Sequence, residues 1–264
     1  MTLRIAHLSD LHFGGEQPEA AEAAVEAVAA FAPTLTVVSG DLTLNGLPAE
    51  FAAAAAWLKR LPVERMVTPG NHDTPYWNLL MRALNPFGRY RRYIGRAGAA
   101  AFDAPGLSAR ALNSARGAQP RPNWSKGALN MNDLRRIDWG PAGALKLFTC
   151  HHPLIDIAGA PVSGGVHCGP EATAALASAG VELILTGHVH NPFALALPTP
   201  GAGPACYALG AGTLSLRTRG TPPSFSTIVA EADAFTVTAL GWVGGRFETL
   251  ETWILPRAGL TMIP

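Results

Sequence analysis

Short apolar runs recur along the chain, and most end in a glycine or a polar cluster. Leu3 to Leu8 reads as a buried strand, and the alanine-rich stretch from Ala20 to Phe31 reads as a helix stopped at Pro33. The order then repeats. Leu35 to Ser39 is strand-like and runs into Gly40, Pro48 opens a helix over FAAAAAWLKR, and Met66 to Thr68 forms a third strand. Alternation of this kind predicts an α/β sheet with helices on its faces and ligands near strand ends.

Between Tyr76 and Phe102 the alternation gives way to an aromatic, arginine-rich stretch, which suggests an insertion or cap over residues 74–102. Strand-like runs resume at Ala109 to Asn113, Leu145 to Cys150 and Val181 to Leu185. From Cys206 onward, STIVAEAD and FTVTALGW are separated by turn residues, the pattern of antiparallel hairpins; the expectation is a second sheet packed on the first. No solenoid repeat and no flexible linker interrupts the 264 residues, so one domain over 1–264 is expected.

Composition narrows the functional classes. Twenty Lys and Arg against 19 Asp and Glu leave a net charge of +1, which disfavours bulk nucleic-acid binding. The N-terminus reaches Asp10 before any apolar run of signal-peptide length, and no later run approaches a membrane span. Three cysteines without CxxC spacing suggest neither a disulfide framework nor a thiolate zinc site, so reduced thiols in the cytoplasm are expected.

Chemistry concentrates at the ends of the strand runs. Six of the eight histidines fall in the clusters Asp10-Leu11-His12, Gly70-Asn71-His72-Asp73, His151-His152 and His188-Val189-His190, and Gly40-Asp41 follows its own strand in the same way. If the extended conformation persisted, Asp10 with His12 and His188 with His190 would each project to one side. Carboxylate, imidazole and amide donors without thiolates suit manganese, iron or zinc. Asp10, His12, Asp41, Asn71, His151, His188 and His190 are more ligands than one ion needs, and a carboxylate such as Asp41 can bridge two.

DLH, GD, GNHD, HH and GHVH, in this order and each at a strand end, resemble the calcineurin-like metallophosphoesterases, with no family motif missing. The resemblance implies an αββα sandwich: two β-sheets face to face, flanked by helices, with two divalent or trivalent metal ions on loops at one edge. It assigns Asp10, His12, Asp41 and His190 to one ion and Asp41, Asn71, His151 and His188 to the other. Asn71 and His72 would contact substrate, His72 would serve the leaving group, and Asp73 would orient His72. It further implies a small phosphate-ester substrate, attacked in line by a metal-bound hydroxide. The cyclic-nucleotide and glycerophosphodiester branch is the nearest analogy. A phosphomonoesterase, a nucleotide or lipid pyrophosphatase, or a non-catalytic scaffold on the same fold are the alternatives, and a homo-oligomer is left open.

The remaining residues of interest read more plainly. His7, inside the first strand run, is a core or edge histidine, and His152 should point away from His151, toward packing or support of the site. His167 either lines the pocket or sits in a glycine loop. Cys150, Trp57 and Trp139 read as packing residues, while Tyr76 and Trp77 could wall the pocket. Arg82, Arg89, Arg91, Arg92 and Arg96, in an acid-free stretch, either form a solvated face or overhang the site and hold anions.

Overall fold

In a computed structural model, which describes residues 2–61, 64–120, 123–158, 165–199 and 205–257, the chain forms two six-stranded sheets packed face to face. The first contains β1 (Leu3–Leu8), β2 (Leu35–Val38), β3 (Arg65–Val67), β10 (Ser224–Ala230), β11 (Ala234–Val243) and β12 (Arg246–Pro256) in the order β12-β11-β10-β1-β2-β3. The second contains β4 (Ala100–Ala104), β5 (Leu107–Ala111), β6 (Leu145–Thr149), β7 (Leu183–Thr186), β8 (Phe193–Leu197) and β9 (Cys206–Gly210) in the order β4-β5-β6-β7-β9-β8.

The expected helices form with small shifts of boundary. α1 (Pro18–Phe31) begins with proline in its first turn and buries Ala20, Ala24 and Val28 on one face. It ends at Ala32, whose left-handed φ of 47° turns the chain before Pro33. α2 (Pro48–Leu58) buries Trp57, whose indole donates to Ala21 O at 2.8 Å, so Trp57 joins the two helices. Together with Phe51 and Leu58 they cover the outer face of the first sheet. α5 (Met131–Arg135) and α6 (Gly169–Ser178) cover the second, where Trp139 also packs.

The placement of the C-terminal strands differs from the sequence expectation. β10 to β12 do not make a sheet of their own. β10 pairs antiparallel with β1, from Leu3 against Ala230 to His7 against Ser226, so the end of the chain completes the first sheet, while β9 joins the second. The physical reason is burial on both faces: β1 is buried along almost its whole length and needs a strand on each side, and β2 supplies only one. Between the sheets lies a core of Ile5, Val37, Leu147, Leu185, Ile228 and Phe235.

Residues 74–102 hold two short helices, α3 (Leu79–Leu84) and α4 (Gly88–Tyr93). α4 is anchored by Tyr90, which is fully buried, meets Phe51 edge-on and donates to Val67 O at 3.2 Å. Among the described residues no helix is long and apolar enough to cross a membrane.

The register makes a direct test possible. Ile228→Ala empties a site between the sheets and should lower unfolding free energy by about 2–5 kcal/mol in urea titrations. Ile254→Ala on β12, where the side chain is 72% exposed, should change it by less than about 0.5 kcal/mol. Equal effects would contradict the pairing of β10 with β1.

Candidate metal centre

Parallel strands of both sheets end at the same edge, and the loops that follow them meet there. The ladder between β1 and β2 continues past the strand ends: Asp10 N donates to Gly40 O, His12 N to Asp41 O and Phe13 N to Leu42 O, at 2.9–3.0 Å. The backbone does not stay extended. Asp10, His12, Asp41, His188 and His190 all have positive φ, between 48° and 71°, a region that costs a non-glycine residue of order 1 kcal/mol or more. Alternation along an extended strand therefore does not aim the pairs Asp10/His12 and His188/His190; left-handed turns do. Asn71, His72 and Asp73 form a single 3-10 turn.

Close approach explains two of the motif glycines. A Cβ on Gly70 would overlap the backbone N and carboxylate of Asp41, and one on Gly187 would overlap Ser9 Oγ and Asp10 Oδ2.

Hydrogen bonds then fix which atom of each side chain faces the centre. Asp41 Oδ1 accepts from His72 N at 2.8 Å, leaving Oδ2 between His151 Nε2 at 3.3 Å and His12 Nε2 at 3.8 Å. Asp10 Oδ2 accepts from His188 N at 2.8 Å, leaving Oδ1, which has no hydrogen-bond partner, 3.1 Å from His190 Nε2. The Nδ1 atoms of His12, His151 and His190 sit 3.3, 2.7 and 2.6 Å from the carbonyls of Thr43, Ser39 and Arg217. A carbonyl only accepts, so each Nδ1 carries hydrogen, and each ring turns Nε2 inward, where it offers a lone pair whenever the ring is neutral. His12 Nε2 and His190 Nε2 thus oppose each other at 3.2 Å, while His188 Nδ1 lies 3.1 Å from Asn71 Oδ1. His151 Nε2 is buried without a hydrogen-bond partner.

The facing Nε2 atoms of neutral His12 and His190 and the unpartnered Asp10 Oδ1 repel one another unless a cation lies among them, so the donor set fits metal ions. Asp10, His12 and His190 form one group able to hold an ion, and Asp10, Asp41 and His151 another.

The charges are arranged accordingly. Burial pushes His12 down to about 4 and His188 to about 3, so both are neutral donors at pH 7. Burial would raise Asp41, but the fields of His151 and His72 hold it well below the usual carboxylate range; Asp10 is held down likewise by His190 and His12. Burial opposes a charge on His151, yet the neighbouring Asp41 and Asp10 lift it to about 9.

His72 and Asp73 do not meet as the resemblance implied. The Asp73 carboxylate accepts from Gly70 N, Leu42 N, Thr43 N and Thr43 Oγ1 at 2.9–3.2 Å, and burial with the nearby charge of Asp41 raises it to about 7. It ties the Asp41 and Asn71 loops together. The His72 ring is oriented instead by Leu44 O, 2.7 Å from Nδ1, and its Nε2 accepts from Arg217 Nη1 at 3.0 Å.

Asp41, Asn71, His72, His188 and His190 line a pocket of about 250 Å³ together with Asn123, Ser125, Arg217 and Arg219. A larger groove of about 800 Å³, bordered by Arg96, Asp103 and Arg110, holds none of the histidines. The expected arginine overhang is absent from the pocket lining. Arg82 donates to Gly117 O at 2.8 Å and Arg89 to Gly46 O at 2.6 Å, Arg91 bonds Asn85, and Arg92 packs on Tyr93. The cations that line the pocket come from LRTRG after β9, a stretch without a motif of its own. Its alternating arginines beyond a sixth strand end were the available signal.

The other residues fall where their chemistry allows. His7 is buried with Nε2 2.9 Å from Ser39 Oγ, and His152 uses both ring nitrogens, on Ser114 Oγ and Ser125 O, to brace the pocket loop. His167 is exposed; Ser163 and Gly164, just before it in the same loop, lie outside the described residues. Cys150 is buried with its thiol pushed up to about 12. Tyr76 stacks on His72 at 6.4 Å, with Trp77 edge-on against it.

Comparison with known proteins identifies the family. The calcineurin-like phosphoesterase family profile matches residues 3–192. A probable cyclic nucleotide phosphodiesterase of Synechococcus is 29% identical over 206 residues, covering 73% of this chain and 75% of that protein. A dimetal phosphatase from Danio rerio superposes with a TM-score of 0.69 at 12% identity, over 97% of this chain and 99% of that one. GAP50, the anchor in the inner membrane complex of Plasmodium, superposes at 0.61 with 14% identity, over 97% and 89%. These two structural likenesses show the fold alone, and the fold evidently also serves an anchor, so chemistry rests on the side chains.

The raised His151 gives a signed pH prediction. In the metal-free chain its proton stabilises the fold fully below about 6.5, and that contribution is lost as pH rises through about 9. Metal must displace the same proton. Calorimetric titration with Mn²⁺ near neutral pH, in buffers of different ionisation enthalpy, should show release of about one proton and affinity increasing toward pH 9. Uptake without proton release would contradict the assignment.

Proposed function

Because the chain belongs to the calcineurin-like phosphoesterase family and is a metal-dependent phosphoric ester hydrolase, we propose that it cleaves phosphodiesters at a dinuclear centre sharing Asp41. The observation that carries this reading is Asp41 Oδ2, free of hydrogen bonds to the backbone and flanked by His151 on one side and His12 on the other. Asp10, His12 and His190 complete one ion's set; Asn71, His151 and His188 complete the other's. The mixed nitrogen and oxygen donors favour manganese, iron or zinc.

When bound, such ions acidify a water and neutralise the phosphate oxygens that would repel it. The chain's own residues do the rest. Asn71 and the guanidinium groups of Arg217 and Arg219 border the space a phosphate would fill, and they orient it through N–H donors. His72, its ring fixed by Leu44 O, turns Nε2 to Arg217, so the two form one unit beside the departing oxygen; the donor to that oxygen is His72 once Nε2 is protonated, or the guanidinium itself. Asp73 keeps the Asp41 and Asn71 loops in register. The separate, free thiols of Cys150, Cys168 and Cys206 suit a reducing compartment such as the cytoplasm.

The diester preference is supported by the Synechococcus relative. A second reading is favoured by the arginine pair: two cations beside one phosphate site suit a substrate with a second anionic group, as in a nucleotide or lipid pyrophosphatase.

Metal-reconstituted protein assayed on bis(p-nitrophenyl) phosphate, p-nitrophenyl phosphate, cyclic nucleotides and a dinucleoside pyrophosphate separates these readings. Turnover of diesters above the monoester is expected; the reverse would overturn the diester assignment. His72→Ala should retain its metals and lose about 10²–10⁴-fold on substrates with poor leaving groups, and less on p-nitrophenyl esters. Joint replacement of Arg217 and Arg219 by Ala should raise KM for the pyrophosphate more than for bis(p-nitrophenyl) phosphate, with the gap narrowing at high salt. Equal changes on both would remove the arginines from substrate recognition.

A further inference from the structure

The segment after GNHD contains a helix built inside out. In α3, Arg82 is the only charged side chain, and it is the buried one, 7% exposed, held by Gly117 O and packed near Trp124. Leu79, Leu80 and Leu84 are 59%, 71% and 77% exposed, and Trp77 just before them is 75% exposed. A short helix that hides its arginine and shows its leucines to water has its apolar face reserved for something else. Asn78 caps its first turn through Met81 N at 2.8 Å, so the orientation is fixed.

Charge identifies the occupant. No Asp or Glu occurs between Asp73 and Asp103, whereas Arg91, Arg92 and Arg96 are exposed, and none of the three is in an ion pair among the described residues. Arg91 reaches back to Asn85, the residue after Leu84, which sets a cation at the end of the apolar helix. An exposed tryptophan, leucines and unpaired arginines together match the interface of an anionic bilayer, where rings and leucines enter the acyl boundary and guanidinium groups meet lipid phosphates. The same patch reaches the pocket mouth, because Tyr76 contacts both His72 and Trp77.

We propose that the face formed by Trp77, Leu79, Leu80 and Leu84 with Arg91 and Arg92 docks on an anionic lipid surface, holding the mouth of the metal centre against it. The docking is independent of which ester the centre cleaves.

Vesicle co-sedimentation of the full chain tests this with phosphatidylcholine vesicles with and without phosphatidylglycerol. Binding should be about tenfold or more tighter on the anionic vesicles. Trp77→Ser, Leu80→Ser and Leu84→Ser combined should abolish it while leaving the melting temperature unchanged, since these side chains are exposed. Arg91→Ala with Arg92→Ala should erase the preference for anionic lipid. Failure of the wild type to bind either vesicle would overturn the proposal, and so would a dimer in sedimentation velocity that the triple-serine variant dissolves without any vesicle binding, since the face would then belong to a second copy of the chain.

Discussion

Two carboxylates and four imidazoles, all buried and with their polar atoms crowded toward one another, are not held together by packing alone. The opposition of His12 Nε2 and His190 Nε2 at 3.2 Å, with Asp10 Oδ1 unpartnered beside them, is a repulsive arrangement in the bare chain when both rings are neutral. Backbone carbonyls of Ser39, Thr43 and Arg217 prevent the rings from turning away by holding each Nδ1–H. Five of the contributing residues sit at left-handed φ, so the loops carry strain as well as repulsion. Such an arrangement persists only where a rigid frame over-determines it and a cation repays it.

The frame is the sandwich. Asp10, Asp41 and Asn71 follow strands of the first sheet, while His151, His188 and Arg217 follow strands of the second. The relative position of the two sheets, set by the core around Ile5, Leu147 and Ile228, is therefore also the geometry of the centre. The motif glycines belong to this coupling: Gly187, after β7, packs directly on Ser9 and Asp10, after β1, and no side chain fits between them. The C-terminal strands matter to function for the same reason, because β10 flanks β1 and steadies the loop that carries Asp10 and His12.

Much of this was legible in the sequence because each ligand motif sits next to an apolar run in one short window. DLH, GD, GNHD, HH and GHVH needed only local pattern, and the strand runs before them were readable from hydrophobicity. What depended on long-range pairing was not. No local signal says that β10 joins β1 across more than two hundred residues, or that Arg217 lies 3.0 Å from His72. The arginines near GNHD were close in sequence to the site and so attracted the anion-binding role, but carbonyls of Gly46 and Gly117 hold two of them elsewhere. The left-handed turns were also hidden: Asp and His enter positive φ more readily than most residues, but still in a small minority of positions, and no local signal marks which. Asp73 followed the motif into the site but serves four donors of the neighbouring loops rather than the ring of His72.

The central claim is that Asp41 is the shared ligand around which the repulsive cluster becomes a stable pair of ion sites. Replacing it with Asn keeps the shape and the hydrogen-bonding oxygen toward His72 N while removing the charge between His12 and His151. Elemental analysis after reconstitution with Mn²⁺ and gel filtration tests the claim most directly. The account predicts about two ions per wild-type chain, as a bridged pair requires, and weakened occupancy of both sites in Asp41→Asn, with the variant folded. Two tightly held ions in Asp41→Asn, with unchanged turnover, would contradict it.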